Sequence, residues 1–197
     1  YDNIVIKNGV IKNFSTAIDI DPAININIYD NNLTDNTVAI NFLQVNNSFI
    51  YSNRITNNTY GINLTRSWNN TIYNNYFNNS LANAYDNNTN NWNTSLSTAT
   101  NIYGGTLFGG NFWHDYNGWD IDLDGIGDTV LYNITDIAGT IQGNDSLPIT
   151  EVGKLGCGQV THNITMGKNL NINGTCFDIN ADNVYFNCSG YTLTGNS

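Results

Sequence analysis

The densest run of potential chemistry in the chain is Asp120-Ile121-Asp122-Leu123-Asp124-Gly125-Ile126-Gly127-Asp128. Its pattern, D-x-D-x-D-G-x-x-D, sets carboxylates at alternate positions, and Gly125 permits a sharp turn. In a tight loop such side chains converge on one centre, and the backbone carbonyl of Ile126 adds an oxygen. Without a cation, four carboxylates within nine residues repel one another. A set of hard oxygen donors suits Ca²⁺. We therefore expect a structural calcium site with Asp120, Asp122, Asp124, Ile126 and Asp128 as ligands. Its role would be to lock the loop of residues 110–130 against the rest of the fold.

The spacing resembles the first nine positions of an EF-hand-type loop and departs at the twelfth, where Leu131 replaces the bidentate Glu. A further ligand has to come from elsewhere, with Asp115, Asn117 and Asp145 as candidates. Extracellular Ca²⁺ is millimolar, so even a weak site would fill there. Other constellations are poorer. Asp19 and Asp21 alternate on one strand, as a glycosidase pair would, but Lys7, Lys12, Arg54 and Arg66 form no basic cluster with them. A lyase needs a base beside the cation, and His114 alone lies near the acidic loop. We expect no catalytic residues and no enzyme. Trp68, Trp92, Trp113 and Trp119, with Tyr116, suit a cap over an open apolar end better than a sugar-stacking platform.

Cys157, Cys176 and Cys188 all lie near the C-terminus, with no CxxC and only His114 and His162 beside them, a poor set for zinc. One disulfide and one free thiol in an oxidising compartment is the expectation, with the pairing open. The N-x-[ST] sequon occurs 14 times, against about six by chance. We expect N-linked glycans at Asn13, Asn46, Asn57, Asn69, Asn78, Asn87, Asn93, Asn144, Asn163 and Asn173. Asn32, Asn63, Asn133 and Asn187 complete the sequon set. The chain opens on Tyr1 and shows no leader, so we expect it to be cut from a longer polypeptide.

What positions these residues has to be read from an unusual composition. Of 197 residues, 40 are Asn and 31 are Ser or Thr. Sixteen acids against six Lys+Arg give a net charge of −10, and Glu151 is the only glutamate. A sequence pI near 4.1 excludes a nucleic-acid partner. No apolar run is long enough for a membrane span. Strong helix formers are sparse. With 40% hydrophobic and 12% aromatic residues, the chain is not a disordered one.

A repeat organises the first half. Lys7–Asn13 (KNGVIKN), Asp30–Asn36 (DNNLTDN), Ser52–Asn58 (SNRITNN) and Asn74–Ser80 (NNYFNNS) share one pattern. It aligns Asn8, Asn31, Asn53 and Asn75, about 22 residues apart. Alternating runs precede each unit (Ile4-Val5-Ile6, Ile26-Asn27-Ile28, Phe49-Ile50-Tyr51, Ile72-Tyr73). Others follow the first three, and the fourth fades into Ala84-Tyr85. Such a unit makes three short strands with tight Asn/Gly/Ser/Thr corners. It cannot bury its apolar face alone. Stacking in register, at roughly 4.8 Å per rung, pairs its backbone and lets Asn amides form ladders. A parallel β-helix with rungs of about 22 residues accounts for both repeat and asparagine. An antiparallel sandwich is the competing fold, but Asn-Gly hairpin signals are few.

These units resemble the right-handed parallel β-helix repeats of the family shared by carbohydrate-binding proteins, sugar hydrolases and the periplasmic copper-processing NosD proteins. The stretch from Gly110-Asn111-Phe112-Trp113-His114-Asp115-Tyr116 to Asp128-Thr129 resembles the segment after the last rung in NosD-like archaeal surface proteins. That resemblance implies an archaeal source and a cell-surface location. Gly174 to Gly195 is similar to the opening cap and first rung of such proteins, and Asn183-Val184-Tyr185-Phe186-Asn187 resembles Asn3-Ile4-Val5-Ile6-Lys7. The chain thus looks circularly shifted. Residues 1–100 carry rungs, 101–150 an aromatic and acidic region closing the solenoid, and 151–197 the cap and first rung of the next or neighbouring repeat. We expect a structural module of an extracellular filament, sheath or adhesin. Its partners would be copies of itself, joined in tandem or end to end, and surface carbohydrate. The alternative is a carbohydrate-binding or carbohydrate-processing β-helix.

Overall fold

The computed structural model describes residues 2–151, 157–160, 163–172 and 174–195, so the expectations on Tyr1, His162 and Asn173 lie outside the described residues. The described residues form strands, turns and irregular segments, with no helix long and apolar enough to cross a membrane.

Three parallel faces build a β-solenoid. The first holds Val5–Lys7, Asn27–Tyr29, Phe49–Tyr51 and Thr71–Tyr73, with Ile6, Ile28, Ile50 and Ile72 in register. The second holds Val10–Lys12, Asn32–Thr34, Arg54–Thr56, Tyr76–Asn78 and Phe112–Trp113, aligning Ile11, Leu33, Ile55, Phe77 and Trp113. The third holds Thr16–Ile20, Val38–Leu43, Tyr60–Thr65 and Ala82–Asp86, aligning Ile18, Ile40, Ile62 and Ala84. In each three-residue strand the middle side chain points inward, so the column of isoleucines is the core. Each fully buried Ile contributes about 1.5–3 kcal/mol. The parallel pairing excludes the antiparallel sandwich for this half of the chain.

The corners explain the asparagine. Asn3, Asn25, Asn47 and Asn69 form one row with φ of 55–60°. Asn8, Asp30, Ser52 and Asn74 form a second, and Asn13, Asp35 and Asn57 a third. These are left-handed positions, which Asn and Asp tolerate better than other non-glycine residues. The next residue points inward. Asn53 shows how it works: its Nδ2 donates to the carbonyls of Ile28 at 2.8 Å and Tyr51 at 2.9 Å and to Oδ1 of Asn75 at 3.0 Å. Its own Oδ1 accepts from the backbone N–H of Asn31 at 3.1 Å. Corner groups that no strand pairs are thus satisfied from the side chain.

One register differs from the sequence pattern. Asn8 belongs to the left-handed row, and the inner position beside Asn31 is Gly9, whose N–H donates to Asn31 Oδ1 at 3.0 Å. Two adjacent corner sites both accept Asn, so the pattern slipped by one residue at the first rung. The fourth rung is also more complete than its sequence suggests, since Tyr60 pairs with Ala82 and Leu64 with Asp86.

Beyond that rung the regularity breaks. The chain makes a small hairpin of Ser97–Thr98 and Leu107–Phe108, then returns to the second face at Phe112–Trp113. An antiparallel hairpin, Tyr132–Thr135 with Ile141–Asp145, closes the third face. Trp92, Trp113, Tyr116 and Ile134 complete the core at this end. Two further rungs follow. Gly158–Val160, Ile164–Thr165 and Leu170–Ile172 pair in parallel with Phe177–Ile179, Phe186–Asn187 and Leu193–Gly195. They have a core of their own, formed by Val160, Ile164, Met166 and Leu170 together with Ile121 from the acidic loop.

Candidate metal centre

The acidic loop sits where the two cores meet. Its frame is held by backbone. Asp128 donates its N–H to Trp119 O at 2.8 Å, Gly127 to Pro148 O at 2.8 Å, and Thr150 to Gly125 O at 3.0 Å. Gly167, from the C-terminal rungs, donates to Ile121 O at 3.1 Å. A side chain at Gly118 or Gly127 would strike the buried ring of Tyr116. Gly125 takes φ +93° and Leu123 φ +68°, the turn that folds the loop on itself.

Inside this frame Asp120, Asp122 and Asp124 each offer an oxygen, all within 4.8 Å of one another. Asp120 is buried and the other two half-buried. Asp120 accepts from the N–H of Asp124 at 3.1 Å and of Gly125 at 2.9 Å, and Asp124 accepts from Ile126 N–H at 2.8 Å. Asp128 takes another position: its Oδ2 accepts from the N–H of Ile121 at 2.6 Å and of Asp122 at 3.3 Å. It therefore braces the loop rather than joining the triad. Ile126 is buried, with its N–H on Asp124.

The surroundings of these carboxylates disfavour their ionised forms. Burial above all pushes Asp124 up to about 6 and Asp128 up to about 7, and repulsion from Asp122 and Asp120 adds to it. Asp120 is raised too, again mainly by burial. A divalent cation would reverse this balance by favouring the ionised forms.

The candidate extra ligands lie elsewhere. Asp145 is wholly buried and occupied by Asn111, Trp113 and Leu147. Asp115 accepts from Asn83 Nδ2 at 2.7 Å and from the Tyr132 hydroxyl at 3.0 Å. Asn117 is exposed.

Other predicted residues fall as follows. Cys157 and Cys176 form the disulfide, Cα to Cα 4.4 Å, and Cys188 is free and exposed. Trp92 and Trp113 are buried, Trp119 is half-buried and Trp68 exposed, so the four make no common platform. Trp113 packs between Phe77, ring centroids 4.4 Å apart, and Tyr132, 4.0 Å apart. Asp19 accepts from Asn41 Nδ2 at 2.8 Å. Among the sequons, Asn13, Asn57, Asn69, Asn87, Asn144 and Asn163 are exposed, whereas Asn46, Asn78 and Asn93 are half-buried. Asn93 also commits its Nδ2 to Ser146.

Sequence reasoning missed how the inner ladders end. Asn31, Asn53, Asn75 and Asn111 pass hydrogen bonds along to Asp145. Asn36, Asn58, Asn79 and Asn83 end on Asp115. Asn70 and Asn90 end on Asp86. Asp145 and Asp115 lie 34 and 32 residues beyond the last Asn they serve, and Asp86 lies 4 residues before Asn90, so no spacing in the repeat marks these ends.

A family model described as "Periplasmic copper-binding protein (NosD)" matches residues 1–118. No curated protein and no solved structure matches the chain. Copper does not fit the donors that the described residues bring together. Among the described residues the one cluster able to hold a metal is the carboxylate triad, and neither His114 nor Cys188 joins a group of ligands. Carboxylates in a set without imidazole or thiolate suit a hard cation rather than copper.

Proposed function

This chain belongs to the NosD family, and from that premise we propose that it is a structural β-solenoid module of a cell-surface assembly, stabilised by Ca²⁺ and extended end to end by copies of itself. The observation that carries this is the in-register stacking of the rungs, in which Asn27–Tyr29 and Phe49–Tyr51 each pair with a rung on both sides. Val5–Lys7, Val10–Lys12 and Thr16–Ile20 are the outermost strands of their sheets among the described residues. Phe177–Ile179, Phe186–Asn187 and Leu193–Gly195 are outermost at the other end. A rung of this kind stacks on a further rung through its backbone N–H and C=O groups, whether that rung belongs to the same chain or to another copy. Val10 and Phe14 at the first end, and Tyr185 and Ile179 at the second, are exposed apolar residues. Lys7 and Lys12 lie in the first rung beside Asp2, Asp19 and Asp21, and Asp178 and Asp182 lie in the last.

The Cys157–Cys176 disulfide supports an oxidising compartment, in keeping with the periplasmic description of the family. We place the assembly outside the cell, where Ca²⁺ would occupy Asp120, Asp122 and Asp124. N-linked glycans would attach to exposed corners such as Asn13 and Asn57. The test is electron microscopy of the protein in Ca²⁺ and in chelator. Elongated particles that shorten on chelation support the proposal, and single short particles in both conditions contradict it.

A further inference from the structure

A groove runs along the third face beside the closing hairpin. Tyr60 and Tyr85 form its floor, their ring centroids 5.8 Å apart and their planes tilted by 42°. The turn between Tyr132–Thr135 and Ile141–Asp145 forms its wall, with Asp136, Ile137 and Ala138. That wall is braced, because Asp136 Oδ1 accepts from the N–H groups of Ala138 and Thr140, both at 2.9 Å. The cavity measures about 490 Å³, within the range of small-ligand sites.

Its chemistry narrows the occupant. No Lys, Arg or His lines the groove, so an anion would find no counter-charge there. Of its two acids, Asp86 is buried and committed to Asn90 and Trp92, and Asp136 is committed to its own turn. Ile137 stands 88% exposed at the rim. Aromatic and aliphatic surface beside amide and hydroxyl groups suits a neutral molecule with one apolar face and many hydroxyls, which describes a sugar ring.

Two sequon asparagines line the groove, Asn63 and Asn87. Asn63 is spent within the fold, since its Nδ2 donates to Asn41 Oδ1 at 2.9 Å. Asn87 is exposed, and its Oδ1 accepts from Arg66 N–H at 3.0 Å, a bond that a linkage through Nδ2 leaves in place. Its own N–H donates to Leu64 O at 3.2 Å, so the strand ladder reaches it. Tyr85 lies two residues earlier, and the two side chains therefore leave the strand on the same side.

Resting on the N-glycosylation proposed above, we infer that this groove is the seat of a glycan carried by Asn87. A cellular glycosyltransferase makes the bond. Asn87 Nδ2 joins the anomeric carbon of a glycosyl-phosphate donor, the bond from that carbon to the phosphate oxygen breaks, the phosphate leaves as the anion, and one Nδ2 proton passes to solvent. The first sugar ring then lies with its C–H face on Tyr85 and against Ile137, and its hydroxyls turn toward Tyr60 and Thr65.

Site-by-site release of the glycans tests the seat. The protein is produced in a host that attaches N-linked glycans, treated while folded with an amidase that cleaves them from asparagine, and followed by peptide mass spectrometry. Asn13 and Asn57, exposed at open corners, are the internal controls. Release requires the glycan to leave its seat, so a seat filled about nine-tenths of the time slows release about tenfold at Asn87 relative to the controls. Ile137→Ser and Tyr85→Ala should bring the rates together, and Ile137 is so exposed that its substitution leaves the fold intact. A glycan on Asn87 released as fast as the controls, or protection that persists in both variants, would overturn the seat. A bare Asn87 beside glycosylated controls would overturn it and leave the glycosylated module standing. Bare asparagines at all three sites would overturn both readings.

Discussion

Asn111 donates its backbone N–H to the buried carboxylate of Asp145 at 2.6 Å and its Nδ2 to the same oxygen at 3.3 Å. An asparagine ladder that climbs through four rungs thus ends on an anion. An amide both donates and accepts, so a stack of them passes donors in one direction and leaves a donor at its end. Only an acceptor closes the chain without leaving another donor over. The three inner ladders each close this way, on Asp145, Asp115 and Asp86.

Burial raises Asp145 to about 6 despite its four donors. The folded value lies above the model value of 3.8. Its contribution to stability is therefore fully present below about pH 3.8 and is lost as pH rises through about 6, by about 3 kcal/mol in all. Asp145→Asn should flatten that part of the profile. It should also lower stability at pH 8, where the carboxylate is ionised, by about 2–4 kcal/mol, because an amide donor then faces the donors of Asn111 and Trp113. Denaturant melts from pH 4 to 8, in saturating Ca²⁺ to hold the acidic loop ionised, measure both effects.

Inner and corner asparagines should respond in opposite ways. Asn53→Leu strands the N–H of Asn31 and the carbonyls of Ile28 and Tyr51, at a cost of about 3–5 kcal/mol. Asn57, at φ 58° and exposed, should accept Gly with little change. Asn57→Val should cost about 1–2 kcal/mol from backbone strain. Equal losses at both positions, read by chemical denaturation, would contradict the division into ladder and corner.

Calcium should raise the melting temperature, by an amount equivalent to about 2.7 kcal/mol at a hundredfold excess over Kd. Affinity should fall as pH drops below about 6, since a proton on Asp124 competes with the ion. Asp122→Asn removes one repelling charge, so the metal-free protein should hold or gain stability while the calcium-induced shift shrinks. Calorimetric titration with Ca²⁺, and with Cu²⁺ as the contrasting ion, measures the site directly.

Reduction should act on one part of the molecule. The Cys157–Cys176 bond spans 19 residues across the two C-terminal rungs, and its loss should cost those rungs about 2–4 kcal/mol. Hydrogen exchange should then rise at Ile164 and Leu170 and stay slow at Ile28, Ile50 and Ile72.

Much of this fold was legible because stacking makes sequence periodic. The inward Ile column, the three strands per rung and the D-x-D-x-D-G loop all show in spacing alone. The one-residue slip at Asn8 came from chemistry that two neighbouring corner positions share. Asp145 and Asp115 were not legible as ladder ends, because each lies more than thirty residues beyond the last Asn it serves. Asp128 sits in the metal motif by spacing, yet the backbone N–H groups of Ile121 and Asp122 hold its carboxylate. The disulfide needed three-dimensional proximity that no spacing rule supplies.

End-to-end growth of the solenoid is tested most directly by sedimentation of the protein in Ca²⁺ over a wide concentration range, beside a Val10→Lys, Ile11→Lys variant of the first rung. The account predicts a concentration-dependent series of elongated oligomers from the parent protein and a monomer from the variant. A parent protein that sediments as a single monomer at every concentration would contradict it.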